Sequence, residues 1–270
     1  MRNLHKAYYK DYFKDLNFGY LLNDDEGPKT EIKRRNGELT APNLLHRISK
    51  NSLVNQAFEL QITYPGLVTG VGINHEAKIE GEFKLGVHFD WTYGMPVVYG
   101  SSVKGVLRSA FIEEQKNGKI IKYDNYFPKE VTKREWGQEE IKALFDAVFE
   151  GKDSEGKNLS IYNRDIFFDA VIVKPDSKKR ILCSDSITPH GGETHDNPLK
   201  NPTPLTFLKI APGCIMEFRF KLVDTKIGDF EFKAEDKLAL FKEILTTVGV
   251  GAKTNVGYGQ LKSVDKQTSK

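Results

Sequence analysis

Val248-Gly249-Val250-Gly251-Ala252-Lys253-Thr254-Asn255-Val256-Gly257-Tyr258-Gly259 stands near the C-terminus. Upstream of it, Leu238, Phe241, Leu245 and Val248 recur at helical spacing and predict a helix over 235–248, with Gly249 as its stop. Downstream, 258–264 reads as a closing strand. The order is helix, glycine-rich loop, strand. Glycine tolerates φ > 0 and lets backbone N–H groups approach a ligand with no Cβ in the way. Such a loop can present several donors to an anion, and Lys253 adds a full charge. The anion expected is a phosphate. A nucleotide-binding P-loop is excluded by spacing: aligning Lys253-Thr254 with its K-[ST] leaves Ala252 and Thr247 where glycines belong. A Rossmann fingerprint is excluded by order, because it needs the strand first. What remains is a nucleic acid backbone, or a glycine hairpin with no ligand.

Working outward, Met216, Phe218, Phe220 and Leu222 alternate with Glu217, Arg219 and Lys221, the period of a strand. Phe58 to Tyr64 alternates likewise and ends at Pro65-Gly66. Asp165 to Val173 reads as a buried strand with Asp169 unusually placed in its middle. Ile181 to Asp185 is a further short strand. Val103, Val106, Leu107, Ala110 and Phe111 form one apolar face of a helix over 101–111, with serine as its cap. A helix is also expected over 139–149. The strong elements run strand, helix, strand, strand, helix, strand. That is the ferredoxin-like (RRM-like) α+β pattern. Insertions are expected around 67–95, 112–160 and 186–204 of a single domain over 58–270, behind an N-terminal extension, 1–57, with helices. Within that extension 6–22 reads as helix and 23–36 as a loop broken by Gly27-Pro28; 116–133 reads as polar and irregular.

The bulk numbers agree with a soluble globular chain: 39% hydrophobic and 29% charged residues. The net charge of +3 is too small to announce a nucleic-acid binder alone. Two cysteines in 270 residues make no disulfide framework, so a reducing, cytoplasmic setting is expected. No apolar run has the ~20 residues of a membrane span, and no membrane partner is expected. Cys183, His190, His195 and Cys214 match no zinc spacing, so no metal and no cofactor is expected.

Gly100-Ser101-Ser102-Val103-Lys104-Gly105-Val106-Leu107-Arg108, followed far downstream by the glycine loop, resembles the RAMP superfamily of CRISPR-associated RNA-binding proteins. Phe167-Phe168-Asp169-Ala170, Asp185-Ser186-Ile187-Thr188-Pro189-His190, Asn197-Pro198 and Pro204-Leu205-Thr206-Phe207-Leu208 follow in that order. The ordered set is similar to the family of sixth subunits of type III-B (Cmr) effector complexes. The resemblance implies a non-catalytic backbone subunit. It would hold guide RNA near its 3′ end, stack on neighbouring RAMP subunits including adjacent backbone copies, and disturb the guide–target RNA duplex with a thumb. The resemblance also places target cleavage on an aspartate in the loop after the first strand of a different subunit. Here that loop, Pro65 to Gly72, holds no acid.

A guide must be gripped whatever its sequence, so contacts go to phosphate and sugar. Ser101, Ser102, Lys104 and Arg108 form one expected clamp, on the free N–H groups of a helix start. Gly251, Lys253, Thr254 and Asn255 form the other, with Tyr258 able to stack on a base. The two are expected side by side, as a single cradle. Alone, each has a plain alternative: Ser101 and Ser102 as helix caps, Arg108 as an exposed cation, Tyr258 as core. Thr188, His190 and His195, in the Pro/Gly-rich stretch 186–204, are thumb candidates; the alternative is a surface loop. Asp169 and Asp185 read as loop-capping carboxylates rather than a catalytic pair. No catalytic residue is expected. The competing enzyme is a RAMP-fold endoribonuclease with a histidine base, His46, His75 or His88.

Overall fold

The computed structural model describes residues 3–16, 26–43, 45–46, 48–72, 79–187 and 204–264. The N-terminal part gives α1 (Leu4–Tyr9) and α2 (Glu26–Thr40). The expected loop over 23–36 is therefore helix where it is described. Gly27-Pro28 falls in the first turn, where proline loses no helical hydrogen bond. Glu31 then pairs with Arg34 and Arg35 along the helix. Of the helix expected over 6–22, only the part to Tyr9 is helical among the described residues, 10–16 being turn and irregular chain, and 17–22 lie outside the described residues. Leu4, Tyr8, Tyr12, Ile32 and Leu39 are buried in the same apolar cluster as the sheet core.

The strands that follow are β1 (Gln56–Ile62), β2 (Val71–Gly72), β3 (Leu85–Gly86) and β4 (Val97–Val98); then α3 (Gly100–Ser109). A hairpin of β5 (Ile112–Lys116) and β6 (Lys119–Tyr123) comes next. Its turn is Asn117-Gly118 at φ 50 and 76, the pairing that two-residue hairpins favour. Together with α4 (Tyr126–Thr132) it corrects the irregular reading of 116–133. Helix α5 (Gln138–Phe145) continues as a π turn over Asp146–Glu150. The expected strand over 165–173 is broken in two, β7 (Ile166–Phe167) and β8 (Ala170–Lys174). The break is at Phe168-Asp169, where the Asp169 carboxylate turns away to accept the Gly100 N–H at 2.7 Å. The chain ends through β9 (Leu182–Ile187), β10 (Leu205–Ile210), β11 (Ile215–Lys221), the hairpin β12 (Thr225–Ile227) and β13 (Phe230–Phe232), α6 (Ala234–Val248) and β14 (Leu261–Ser263).

The main sheet has the order β14-β1-β11-β8-β4, with β7 also on β11. Every pairing in it is antiparallel. Helices α3 and α6 pack together and supply the apolar cover of one face. On α6 the buried residues are Ala234, Lys237, Leu240, Phe241, Ile244 and Leu245, while Val248 is 37% exposed. The helix thus turns a face one residue away from the one its Leu238–Val248 spacing suggested. Phe218, Phe220, Phe167 and Phe241 interlock beneath it.

The opposite face of β11 is also covered. Arg219 donates to the carbonyls of Ile48 and Ser49 at 2.9 and 3.2 Å, and Glu217 pairs with Lys50 and Arg219. Glu59 lies directly across from Glu217. That face is occupied by this ion-paired cluster. A second sheet, β2-β3-β10-β9, carries the β9–β10 hairpin. Ile187 pairs with Leu205, so the stretch between them leaves from a closed hairpin mouth. The thumb candidates Thr188, His190 and His195 lie outside the described residues.

Candidate nucleic-acid interface

Helix α6 stops at Gly249, and the loop that follows is stitched to the turn after β1. Ala252 N–H donates to Val68 O at 2.6 Å and Gly259 N–H to Gly66 O at 2.8 Å. Two glycines are obligatory here. A Cβ on Gly259 would sit 1.8 Å from Val250 O, and one on Gly251 2.4 Å from Val68 O. The loop is therefore held by its own backbone, leaving some donors unused. The N–H groups of Gly251, Lys253, Thr254 and Asn255 donate to no described residue. Lys253, at φ 60 in the left-handed region, makes no ion pair among the described residues. Successive unengaged N–H groups beside an unpaired ammonium are the kind of feature that can seat an anion.

Tyr258 plays a different part from the one expected. Its side of the loop is buried, the residue only 8% exposed. The hydroxyl donates to Asp185 Oδ2 at 2.8 Å, and the ring packs edge-on against Phe207 at 5.8 Å with the Lys209 ammonium above it. Burial, then the bond to Asp185, pushes its pKa up to about 12. Its ring faces are taken, so it anchors the loop rather than stacking on a base. Asp185 is committed by the same contacts. Burial alone would raise its pKa, but hydrogen bonds from Lys209 and Tyr258 hold it below the usual carboxylate range.

The serine segment also departs from expectation. Helix α3 opens at Gly100, with Tyr99 at the cap position and no side-chain cap from either serine. Asp169 accepts the first N–H, so the protein's own carboxylate answers the helix dipole. A Cβ on Gly100 would meet Phe167 O at 2.2 Å, which explains the glycine. Ser101 is exposed, and Ser102 N–H donates to Tyr99 O at 2.8 Å. Arg108 is paired: its guanidinium lies 3.4 Å from Glu150 Oε1 and 4.9 Å over the Phe145 ring. Lys104 lies 5.9 Å over the Phe167 ring and makes no ion pair among the described residues. Beside it is a cleft of about 350 Å³ lined by Ser101, Lys104, Phe167, Glu150 and Arg164. Arg164 was not a candidate on sequence. A lone arginine after a polar turn gives no periodic signal.

The two segments flank different strands of the main sheet. One stands by β4 and the other by β14, at opposite edges of the main sheet. Four interstrand steps of about 4.8 Å put those edges roughly 19 Å apart. Among the described residues no hydrogen bond, ion pair or ring contact joins the segments directly. His88 stands between them: its N–H donates to Thr69 Oγ1 at 2.9 Å, and its ring stacks on Tyr99 at 4.3 Å. Its Nδ1 is buried with no hydrogen-bond partner among the described residues. Burial lowers its pKa from 6.5 against the opposing pull of Asp169. The unfolded chain thus binds this proton more readily than the folded one. Stability is expected to rise with pH below about 6.5 and to fall on acidification. His88→Phe is expected to flatten a plot of Tm against pH between about 5 and 7.

Compared with known protein families, residues 59–262 match one described as the RAMP superfamily. The chain belongs to the RAMP superfamily. It is 27% identical over 239 residues to CRISPR system Cmr subunit Cmr6 of Pyrococcus furiosus, an alignment covering 74% of this chain and 65% of that protein. Among solved structures, it matches one of the type III-B Cmr-beta bound to cognate target RNA at TM-score 0.49 and 20% identity, covering 76% and 57% of the two chains. The crystal structure of Cmr6 from Pyrococcus furiosus matches at TM-score 0.45 and 18% identity, covering 80% of this chain and all of that one.

In this RAMP chain the loop after β1 carries no acid between Pro65 and Gly72. Among the described residues no group of three or more His, Cys, Asp or Glu is placed to hold a metal ion. Burial raises the pKa of both thiols, that of Cys214 to about 12, so neither is poised as a thiolate. His46 sits against Tyr93 at 5.0 Å, and His75 lies outside the described residues. No helix among the described residues is long and apolar enough to cross a membrane.

Proposed function

We propose that this RAMP chain is a subunit of a type III-B CRISPR (Cmr) ribonucleoprotein that grips an RNA backbone and does not cut it. The observation that carries this is the set of unengaged N–H groups at Gly251 and 253–255 beside the unpaired Lys253. Similarity to Cmr6 supports the setting. The core is best read as ferredoxin-like: β1, β8, β11 and β14 in the order β14-β1-β11-β8, with α3 and α6 between them in sequence. The ligand is guide RNA near its 3′ end, with target RNA and neighbouring RAMP subunits as partners. The segment leaving the β9–β10 hairpin is the thumb.

The glycine loop and the Ser101–Lys104–Arg164 cleft then serve as separate stations on one RNA path. A nucleic acid strand advances about 3.4 Å per nucleotide in duplex form. Nucleotides roughly five or six apart would touch the two stations. Arg108, paired with Glu150, contributes less than its position suggested.

Lys104→Glu combined with Lys253→Glu is expected to weaken RNA binding uniformly across sequences. It should also reduce the salt slope by about 0.7 for each single-strand phosphate that is no longer neutralised. Unchanged affinity at matched salt would overturn the reading. One observation favours the endoribonuclease instead, the unpartnered Nδ1 of His88 beside the start of α3. Metal-free cleavage of CRISPR repeat RNA that disappears in His88→Ala would establish it.

A further inference from the structure

Tyr64 follows β1 directly and is 84% exposed. An exposed tyrosine on an anchored backbone offers a large contact face at low conformational-entropy cost. Here the backbone is rigid on both sides. Thr63 donates to Gln260 O through its N–H at 3.0 Å and its hydroxyl at 3.1 Å. Gly66 N–H closes back on Thr63 O at 2.9 Å, and Gly66 O accepts from Gly259. Leu67 and Ile210 exchange both backbone hydrogen bonds, at 3.1 and 2.9 Å. On the other flank, a Cβ on Gly257 would lie 3.6 Å from Pro65 Cδ. The tip carrying Tyr64 is thus built against the glycine loop itself. Among the described residues the Tyr64 ring stacks on no other aromatic ring. Trp91, by contrast, is 75% exposed yet rests on His5 at 4.5 Å.

We propose that Tyr64 is the stacking platform for an unpaired base of the RNA strand whose phosphate sits on the Gly251–Asn255 loop. The proposal rests on the RNA-backbone reading above and supplies the aromatic surface that Tyr258 cannot. A tyrosine face stacks on any base, which suits a grip that must ignore sequence. The surroundings favour a nucleotide over a protein side chain. Lys253 and the free N–H groups offer a phosphate seat next to the ring, whereas a protein partner would find uncompensated donors there.

The test uses the full chain and a mixed-sequence single-stranded oligoribonucleotide, intact or carrying abasic positions. Wild type is expected to bind the intact RNA. Tyr64→Ala should lose about 5- to 150-fold in affinity, and Tyr64→Phe should lose little. Abasic RNA should bind wild type more weakly but cost Tyr64→Ala nothing further. If wild type binds RNA, Lys253→Glu weakens it, and Tyr64→Ala binds as wild type does, the stacking role falls while the backbone grip stands. If Tyr64→Ala impairs only association with protein subunits, the stacking role also falls. If wild type binds no RNA, both fall together.

Discussion

Lys237→Met alone is expected to destabilise the fold by about 3–5 kcal/mol. Lys237 is an ammonium on a core helix, its side chain 0% exposed, bound to Asp165 at 2.6 Å, Val223 O at 2.7 Å and Thr225 Oγ1 at 2.7 Å. Asp165 also accepts the Val223 N–H at 2.9 Å. Burial pushes the carboxyl pKa up and the amine pKa down, so each charge persists only because of the other. Removing one strands its partner without water. Replacing both, Asp165→Leu with Lys237→Met, is expected to recover most of the loss, because a well-packed apolar pair needs no solvation. Urea unfolding of wild type and the two variants checks this. A loss under about 1 kcal/mol for Lys237→Met would show that the site is wetter than its burial indicates.

Gly259→Ala is expected to abolish the glycine loop's geometry. Gly259 sits at φ 69, and its new methyl would overlap Val250 O at 1.8 Å. A left-handed non-glycine residue costs about 1–3 kcal/mol by itself. The overlap then forces apart the Val250 N–H to Gly259 O bond of 2.9 Å and the Gly259 bond to Gly66. RNA affinity should collapse while far-UV circular dichroism stays close to wild type. Gly105→Ala is the matched control. Gly105 lies on the open side of α3 with nothing within 4 Å of a new Cβ. It is expected to be neutral or to gain about 0.5–1 kcal/mol in helix propensity. RNA affinity as little affected by Gly259→Ala as by Gly105→Ala would mean that the loop tolerates alanine.

The sequence carried β1 and β11 because they alternate, and the two covering helices because they have apolar stripes, but not the short edge strand β4. It carried less where tertiary contacts overrode local chemistry. Gly27-Pro28 looked like a breaker, yet in the first turn of α2 it breaks nothing. The Asn117-Gly118 hairpin was a readable turn signal, obscured by the charged residues around it. Asp169 stood out as an acid in a strand, but only the fold shows that it caps α3. Of the candidate site, the glycine loop was legible because only glycine permits that backbone. The burial of Tyr258 was not, since nothing local distinguishes a ring that meets Phe207 from one that meets solvent. That the serine and glycine segments flank opposite edge strands was hidden for the same reason. Motifs fix residue types, whereas distance follows from strand order. Arg164 and Tyr64 were invisible as single residues and became candidates through the cleft and the clamped turn that hold them.

Ultraviolet cross-linking of RNA to the chain, followed by mass spectrometry of the modified peptides, addresses the grip most directly. Nucleotide adducts are expected within the loop over 249–259 and on Tyr64. Adducts confined to other surfaces, with the glycine loop unmodified, would contradict an RNA backbone held there.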